Sequence, residues 1–331
     1  MKRIPALDGW RGIAILLVLF DHIQDSLLGR YLEPWTQVGQ HGVTTFFVLS
    51  GFLITSKLIE GPISLSRFYT RRFFRLMPAA WTYLLVVFLL GLTGHPRLVS
   101  VAEIRACVLF YRNFFTVNTA TGLTGHFWSL SLEEQFYLCW PCVLLLAGKR
   151  RCRWIAGCGA LACAAYRWFH WAHYDQNVTN WQSQVRADAL LVGCLLALLL
   201  DDPRVRASAT RLSRWLFLPA FAVLCFCMAS FPWLPPLYEC VAIACVIAAA
   251  ILHPNAAFAR PMSWAPLAWV GTVSYSVYLW QQVFWPFRNP YVWLIAMPLA
   301  ALGSYYCIER PCTKLGHRLS VQTVTAAKAS V

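Results

Sequence analysis

Charge is scarce in this chain. Asp, Glu, Lys and Arg make up only 13% of its 331 residues, against about a quarter in an average soluble domain. So little polar surface excludes a water-soluble enzyme. It equally excludes a disordered chain, which combines high charge with few apolar residues. Acidic residues are the scarcer sign, 14 against 28 basic, and the formal net charge is +14. Internal repeats are lacking, as are linkers long enough to separate two domains. No set of His and Cys has metal-ligand spacing, and no metal is expected. The 13 cysteines are odd in number and mostly lie inside apolar runs, which excludes a secreted disulfide scaffold. Cys139 and Cys142 match the C-x-x-C redox spacing but fall at lipid depth, so they read as small apolar packing residues.

What is present is apolar. Hydrophobic residues reach 59% and the mean hydropathy is +0.53. They fall in runs of about 17–20 residues, the length that crosses a hydrocarbon core. The pattern predicts an all-α polytopic membrane protein with about ten transmembrane helices, near 10–28, 41–58, 78–94, 126–147, 154–171, 187–200, 215–231, 236–252, 267–284 and 290–308. A weaker apolar stretch from Ile104 to Phe115 reads as a re-entrant or interfacial helix. The first run lacks a small-residue cleavage site and is as long as a span, so it is not expected to be a signal peptide. With the N-terminus inside, twenty of the 28 basic residues fall in inner segments and seven in outer ones. That bias places both termini in the cytoplasm and explains the positive charge without nucleic acid.

Ionisable residues inside such spans are costly and therefore candidates for function. Arg11 and His22 are eleven residues apart on the first helix. At 100° and 1.5 Å per residue they share one face, about 20° apart in azimuth and about 16 Å apart along the axis. Asp8 and Asp25 lie close to the same stripe, with Asp21 next to His22 in the chain. A His near mid-membrane with carboxylates at hand reads as a general base. The plainer reading gives His22 one interhelical hydrogen bond and lets Arg11 snorkel to the inner headgroups.

A second cluster, Arg67 to Pro78, is expected in the inner loop before the third helix. Arg72 and Arg75, at i and i+3, would share one helical face with Arg71 beside them. Paired guanidiniums suit phosphates, and anchoring to lipid headgroups is the alternative. The third cluster runs from His126 to Tyr137 at the outer start of the fourth helix. Ser131-x-x-Glu134 matches a capping box, which would account for Glu134 but leaves Glu133 without that role. Arg186-Ala187-Asp188 with Gly193 reads as an intramembrane ion pair beside a close helix contact.

Taken in order, these segments resemble acyltransferase family three, the integral-membrane O-acyltransferases of bacterial polysaccharides and natural products. Asp8-Gly9-Trp10-Arg11-Gly12 followed by His22 is similar to its Arg-x10-His signature. Thr45 to Leu53 resembles its second-helix motif, and Arg72-Phe73-Phe74-Arg75 with Pro78 its Arg-x-x-Arg motif. Trp128-Ser129-Leu130 through Glu133, Phe136, Tyr137 and Pro141 is similar to its fourth-helix motif. Arg186-x-Asp188, Ser274 to Trp280, and Glu309-Arg310-Pro311 follow in family order. One departure is clear: Gln281 stands where the family often has His, and Gln cannot shuttle a proton at neutral pH.

The resemblance implies an acyl-CoA donor, most simply acetyl-CoA, and a carbohydrate or small-molecule hydroxyl acceptor, in a bacterial inner membrane. It assigns 1–318 to a transmembrane acyltransferase domain and leaves 319–331, rich in Thr, Ala and Ser, as a tail expected to be disordered. Acyl transfer needs a base for the hydroxyl and a stabiliser for the oxyanion. His22 is the expected base, Arg11 the electrostatic or donor-pocket residue, Asp25 or Asp21 the orienting partner, and Glu133 and Glu134 further catalytic carboxylates. Arg72, Arg75 and Arg71 are expected at the donor phosphates, with Ser50 nearby as polar lining rather than nucleophile. A proton-coupled transporter or channel is the rival reading, since such residues also make relays. A purely structural protein is the third, and it leaves His22 without a task.

Overall fold

The computed structural model describes residues 4–24, 38–92, 99–115, 122–173, 181–230, 236–287 and 289–329, and among these every regular element is helical. In chain order the principal helices are α1 (Pro5–Ile23), α2 (Val38–Ile59), α3 (Leu65–Leu92), α4 (Val101–Val108), α5 (Phe127–His173), α6 (Ser183–Leu200), α7 (Pro203–Ser230), α8 (Leu237–Leu252) and α9 (Ala265–Phe284). A last helical stretch passes through a π-turn at Val292–Ala296, α10 (Met297–Ser304) and a second π-turn at Tyr305–Glu309 into α11 (Arg310–Ala329). Among the described residues, five stretches are long and apolar enough to cross a membrane, namely α2, α3, α6, α7 and Val292–Ser320. The chain is thus a multi-pass helical membrane protein.

Several boundaries differ from the hydropathy pattern, each for a physical reason. Pro5 sits at the first turn of α1, where its missing N–H costs nothing, so the helix starts ahead of the apolar run. Helix α3 begins at Leu65 rather than near 78, because no breaker interrupts Arg67–Met77 and Pro78 is tolerated inside the helix. The basic segment is therefore not a loop. The weak stretch near Ile104 holds α4, whose capping box is Ser100 with Glu103: the Glu103 N–H donates to Ser100 Oγ at 3.1 Å and the Ser100 N–H to Glu103 Oε2 at 2.9 Å. Helix α11 extends to Ala329, across the point where the expected tail begins.

Gly148, at φ +74°, divides α5 into two arms. A Cβ there would meet nothing, so the demand for glycine comes from backbone conformation alone. Beside the break, Lys149 pairs with Asp201 at 2.9 Å and Arg153 with Asp202 at 3.2 Å, tying it to the turn between α6 and α7. The Asp202 carboxyl is held below its usual range first by the Arg204 N–H and then by Arg153.

Close backbone approach sets the two helix pairs on which the interior is built. On α2 and α6, a Cβ at Gly51 would run into the Leu190 carbonyl, and one at Gly193 into the Val48 carbonyl. On α1 and α9, a Cβ at Gly12 would strike the Leu267 carbonyl and one at Gly271 the Asp8 carbonyl. Small residues at these crossings are how helices gain contact where lipid gives no hydrophobic drive. Asp188 is in an ion pair, but its partner is Arg167 at 2.7 Å, not Arg186. Residues two apart point away from each other on a helix, and Arg186 instead donates to Thr44 at 3.2 Å and lies over the Trp128 ring.

Candidate active site

The site is assembled from α1, α2, α3, the first arm of α5, α9 and the Tyr305–Glu309 turn. Its centre is Arg72. That residue lies seven positions into α3, about 10 Å along the axis from the helix start, and its side chain turns inward. It donates to Glu134 Oε1 from Nε (3.3 Å) and Nη2 (3.2 Å), and it stands 3.9 Å from Glu133 Oε2. The guanidinium carbon sits 3.5 Å above the centroid of the Tyr137 ring. Tyr137 in turn donates to Glu133 at 3.4 Å and is within hydrogen-bond reach of Ser50. Glu134 therefore does not cap a helix: Ser131 is already inside α5, where its hydroxyl accepts the Arg112 N–H at 3.2 Å.

The three arginines expected to act together diverge. Arg71 and Arg72 are 100° apart on the helix, so Arg71 reaches outward and donates to Ser320 Oγ on α11 at 2.7 Å. Arg75 is within electrostatic reach of Arg11, which also feels Asp8, Tyr137 and Glu133. Lys57, exposed near the C-terminal end of α2, lies in the fields of Arg75, Arg11, Arg72 and Arg71. Sequence reasoning counted Lys57 only as an inner positive charge. Its place at this mouth follows from α2 packing against α1, which no local pattern encodes.

Two family segments that carried no role in the sequence acquire one here. Ser276 on α9 donates to Glu309 at 2.7 Å, and both are buried. Glu309 lies within reach of Arg75 and Arg11. Tyr275 donates to the Leu76 carbonyl at 3.0 Å and sits among Glu134, Glu309 and Arg72.

His22 stands further along α1, about 16 Å from Arg11 by helix geometry. Its Nδ1 is 2.9 Å from the Val18 carbonyl. A carbonyl can only accept, so Nδ1 carries the proton and Nε2 is the basic nitrogen of the neutral ring. Asp21 lies against Gly39 at the start of α2, and Asp25 falls outside the described residues. His126, which sequence reasoning assigned no task, is within electrostatic reach of His22. Its ring is edged by Tyr83, Phe127 and Tyr278 at centroid distances of 5.2, 4.9 and 5.4 Å. Tyr278 and Ser129 hydroxyls are 2.6 Å apart beside it.

A polar path thus leads from a basic mouth, through an Arg72–Glu134 knot, to a histidine end inside the bundle. Fold and site together define a multi-pass helical protein with a charged interior. The family model described as "Acyltransferase domain" matches residues 4–309, and the chain belongs to that family, acyltransferase family three. It is 29% identical to the peptidoglycan O-acetyltransferase OatA of Listeria monocytogenes, over 95% of this chain and 56% of that protein. With the O-acetyltransferase OatA of Staphylococcus aureus it shares 28% identity, over 96% of this chain and 58% of the relative. The chain spans a little over half the length of these relatives. No solved structure matches it.

Proposed function

We propose that this chain is a membrane O-acyltransferase that moves an acetyl group from acyl-CoA, bound at the cytoplasmic face, to a hydroxyl of a glycan. In this reading ten helices cross a bacterial inner membrane and both termini are cytoplasmic. The observation that carries it is the polar path itself: positive charge gathered at the inner end, and a histidine with one proton committed to Val18 at the far end. Relatives named as peptidoglycan O-acetyltransferases support a carbohydrate acceptor and argue against a transporter.

The parts have distinct tasks. CoA carries several phosphate charges, so Arg75, Lys57 and Arg71 form the donor clamp at the mouth, where cations outnumber nearby carboxylates. Arg72, neutralised by Glu134 and Glu133, shapes the passage for the pantetheine arm more than it grips phosphate. Ser50 and Tyr137 line that passage. At the reacting end, His22 Nε2 takes the acceptor hydroxyl's proton as the oxygen bonds to the thioester carbonyl carbon. The C–S bond then breaks, and the CoA thiolate leaves and recovers the proton. Arg11 supplies positive potential along the path, and Asp25 is retained as a candidate orienter of His22.

Purified protein in nanodiscs, given radiolabelled acetyl-CoA and an N-acetylglucosamine oligosaccharide, tests this directly. Label on the sugar is expected. Acetyl-CoA left intact, with solute uptake in proteoliposomes instead, would sink the reading.

A further inference from the structure

His126 is buried to 5% relative exposure, yet neither Nδ1 nor Nε2 has a hydrogen-bond partner. A neutral imidazole brings one donor and one acceptor. Leaving buried polar groups unmatched is costly, so such groups are rare without a purpose. Packing does not require an imidazole here: three aromatic rings surround the side chain, and a Phe or Leu would fill the same space without an unmet polar atom. The ring also lies in the field of His22, on the reacting end of the path.

A second buried group points the same way. Gln281 is fully buried, and neither its amide nitrogen nor its amide oxygen is hydrogen-bonded. Helices α1 and α9 run in the same direction, since Gly9 lies on Met262 and Gly12 on Leu267. Gly12 N also closes on Gly271, at 2.9 Å from its built Cβ. His22 and Gln281 each lie ten residues beyond that crossing, so both stand about 15 Å further along, at one level.

We propose that His126 is an acceptor-binding residue: it grips a hydroxyl-bearing edge of the sugar, with Gln281 completing the polar rim at the level of His22. This deepens the acyltransferase reading and rests on it. A hydroxyl both donates and accepts, which matches what the neutral imidazole leaves unmet, whereas a carboxylate could use only its N–H. Held by His126, the acceptor presents its reacting hydroxyl to His22 Nε2. Loss of the grip then falls on acceptor affinity and positioning, while the donor mouth around Arg75 and Lys57 is untouched.

The test compares parent, His126→Ala and His126→Gln in nanodiscs, with acetyl-CoA as donor and an N-acetylglucosamine pentasaccharide as probe acceptor. CoA release is followed with and without the sugar, alongside CoA binding and the thermal midpoint. The Ala variant is expected to raise the sugar KM at least tenfold with the acetyl-CoA KM within twofold. Gln, which keeps a donor and an acceptor, should recover part of the loss. An unchanged sugar KM in the Ala variant overturns the assignment. So does a loss shared equally by donor binding, sugar KM and thermal midpoint in both variants, which is the mark of a packing role. A parent whose CoA release the sugar does not stimulate overturns the glycan-acceptor reading, and the assignment with it; only the parent measurement can do that.

Discussion

Arg72 and Glu134 meet at 3.2 Å inside the helical bundle, with the guanidinium laid on the ring of Tyr137. Two residues expected on different surfaces of the membrane are thereby partners. The reason is that α3 carries its basic face inward from Leu65 and the first arm of α5 descends past Glu134 to meet it.

The pair should be revealed by which of its halves is removed. Arg72→Met leaves Glu133 and Glu134 facing each other with little water, and should cost about 2–4 kcal/mol, near the lower part of the range for a broken buried ion pair. Arg72→Met combined with Glu134→Gln should recover about half of that. Denaturation of the three proteins in one detergent measures it. If the double variant is the less stable, the two charges are not coupled.

Donor binding should separate the basic residues. Arg75→Ala and Lys57→Ala should each weaken CoA binding by about 1.5–3 kcal/mol, the worth of a charge-assisted hydrogen bond. Arg71→Ala should weaken it less, because Arg71 is engaged by Ser320. Lys at position 75 should restore affinity only in part, lacking the planar fork. Titration calorimetry with CoA decides the order, and equal affinities across the set would return the mouth to lipid anchoring.

For His22 the expected signature is a rate effect with little else. His22→Ala should fold and bind CoA like the parent, since Arg11, which neighbours the clamp residue Arg75, is already about 16 Å away along α1. Transfer should fall by about 10²-fold or more, as for a lost general base. Near-parent transfer by a folded, donor-binding variant would remove His22 from catalysis.

Glycine crossings predict damage at a distance from any charge. Gly271→Val forces a branched side chain onto the Asp8 carbonyl and the Gly12 N–H. It should push α1 away from α9 and cost more than the about 1–3 kcal/mol of ordinary overpacking. Gly148→Ala meets no atom, so its cost is the backbone conformation alone, φ +74° with ψ +162°, about 1–3 kcal/mol. A thermal midpoint lower for Gly148→Ala than for Gly271→Val would contradict this account.

Orientation is the quickest measurement. A reporter active only outside the cytoplasm should stay silent after Arg150 and after Val331, and should be active when inserted after Arg112. Any other pattern would reassign the face to which Lys57 and Arg75 open.

Composition and period alone determined the membrane class, the helical fold and the stripe holding Arg11 and His22. Each depends on neighbours within one helix, where 100° and 1.5 Å per residue carry the geometry. The break at Gly148 was legible too, as a basic interruption between two apolar runs. Asp188, by contrast, found Arg167 rather than its near neighbour in the sequence, and Arg71, Arg72 and Arg75 parted to three different surroundings. His126 gained meaning only when Tyr83, Tyr278 and His22 closed around it. These outcomes belong to the tertiary structure because a helix states which face a residue occupies but not which helix will lie against that face. That choice is made by whole-bundle packing at glycine crossings such as Gly51 with Leu190 and Gly271 with Asp8, between residues far apart in the chain.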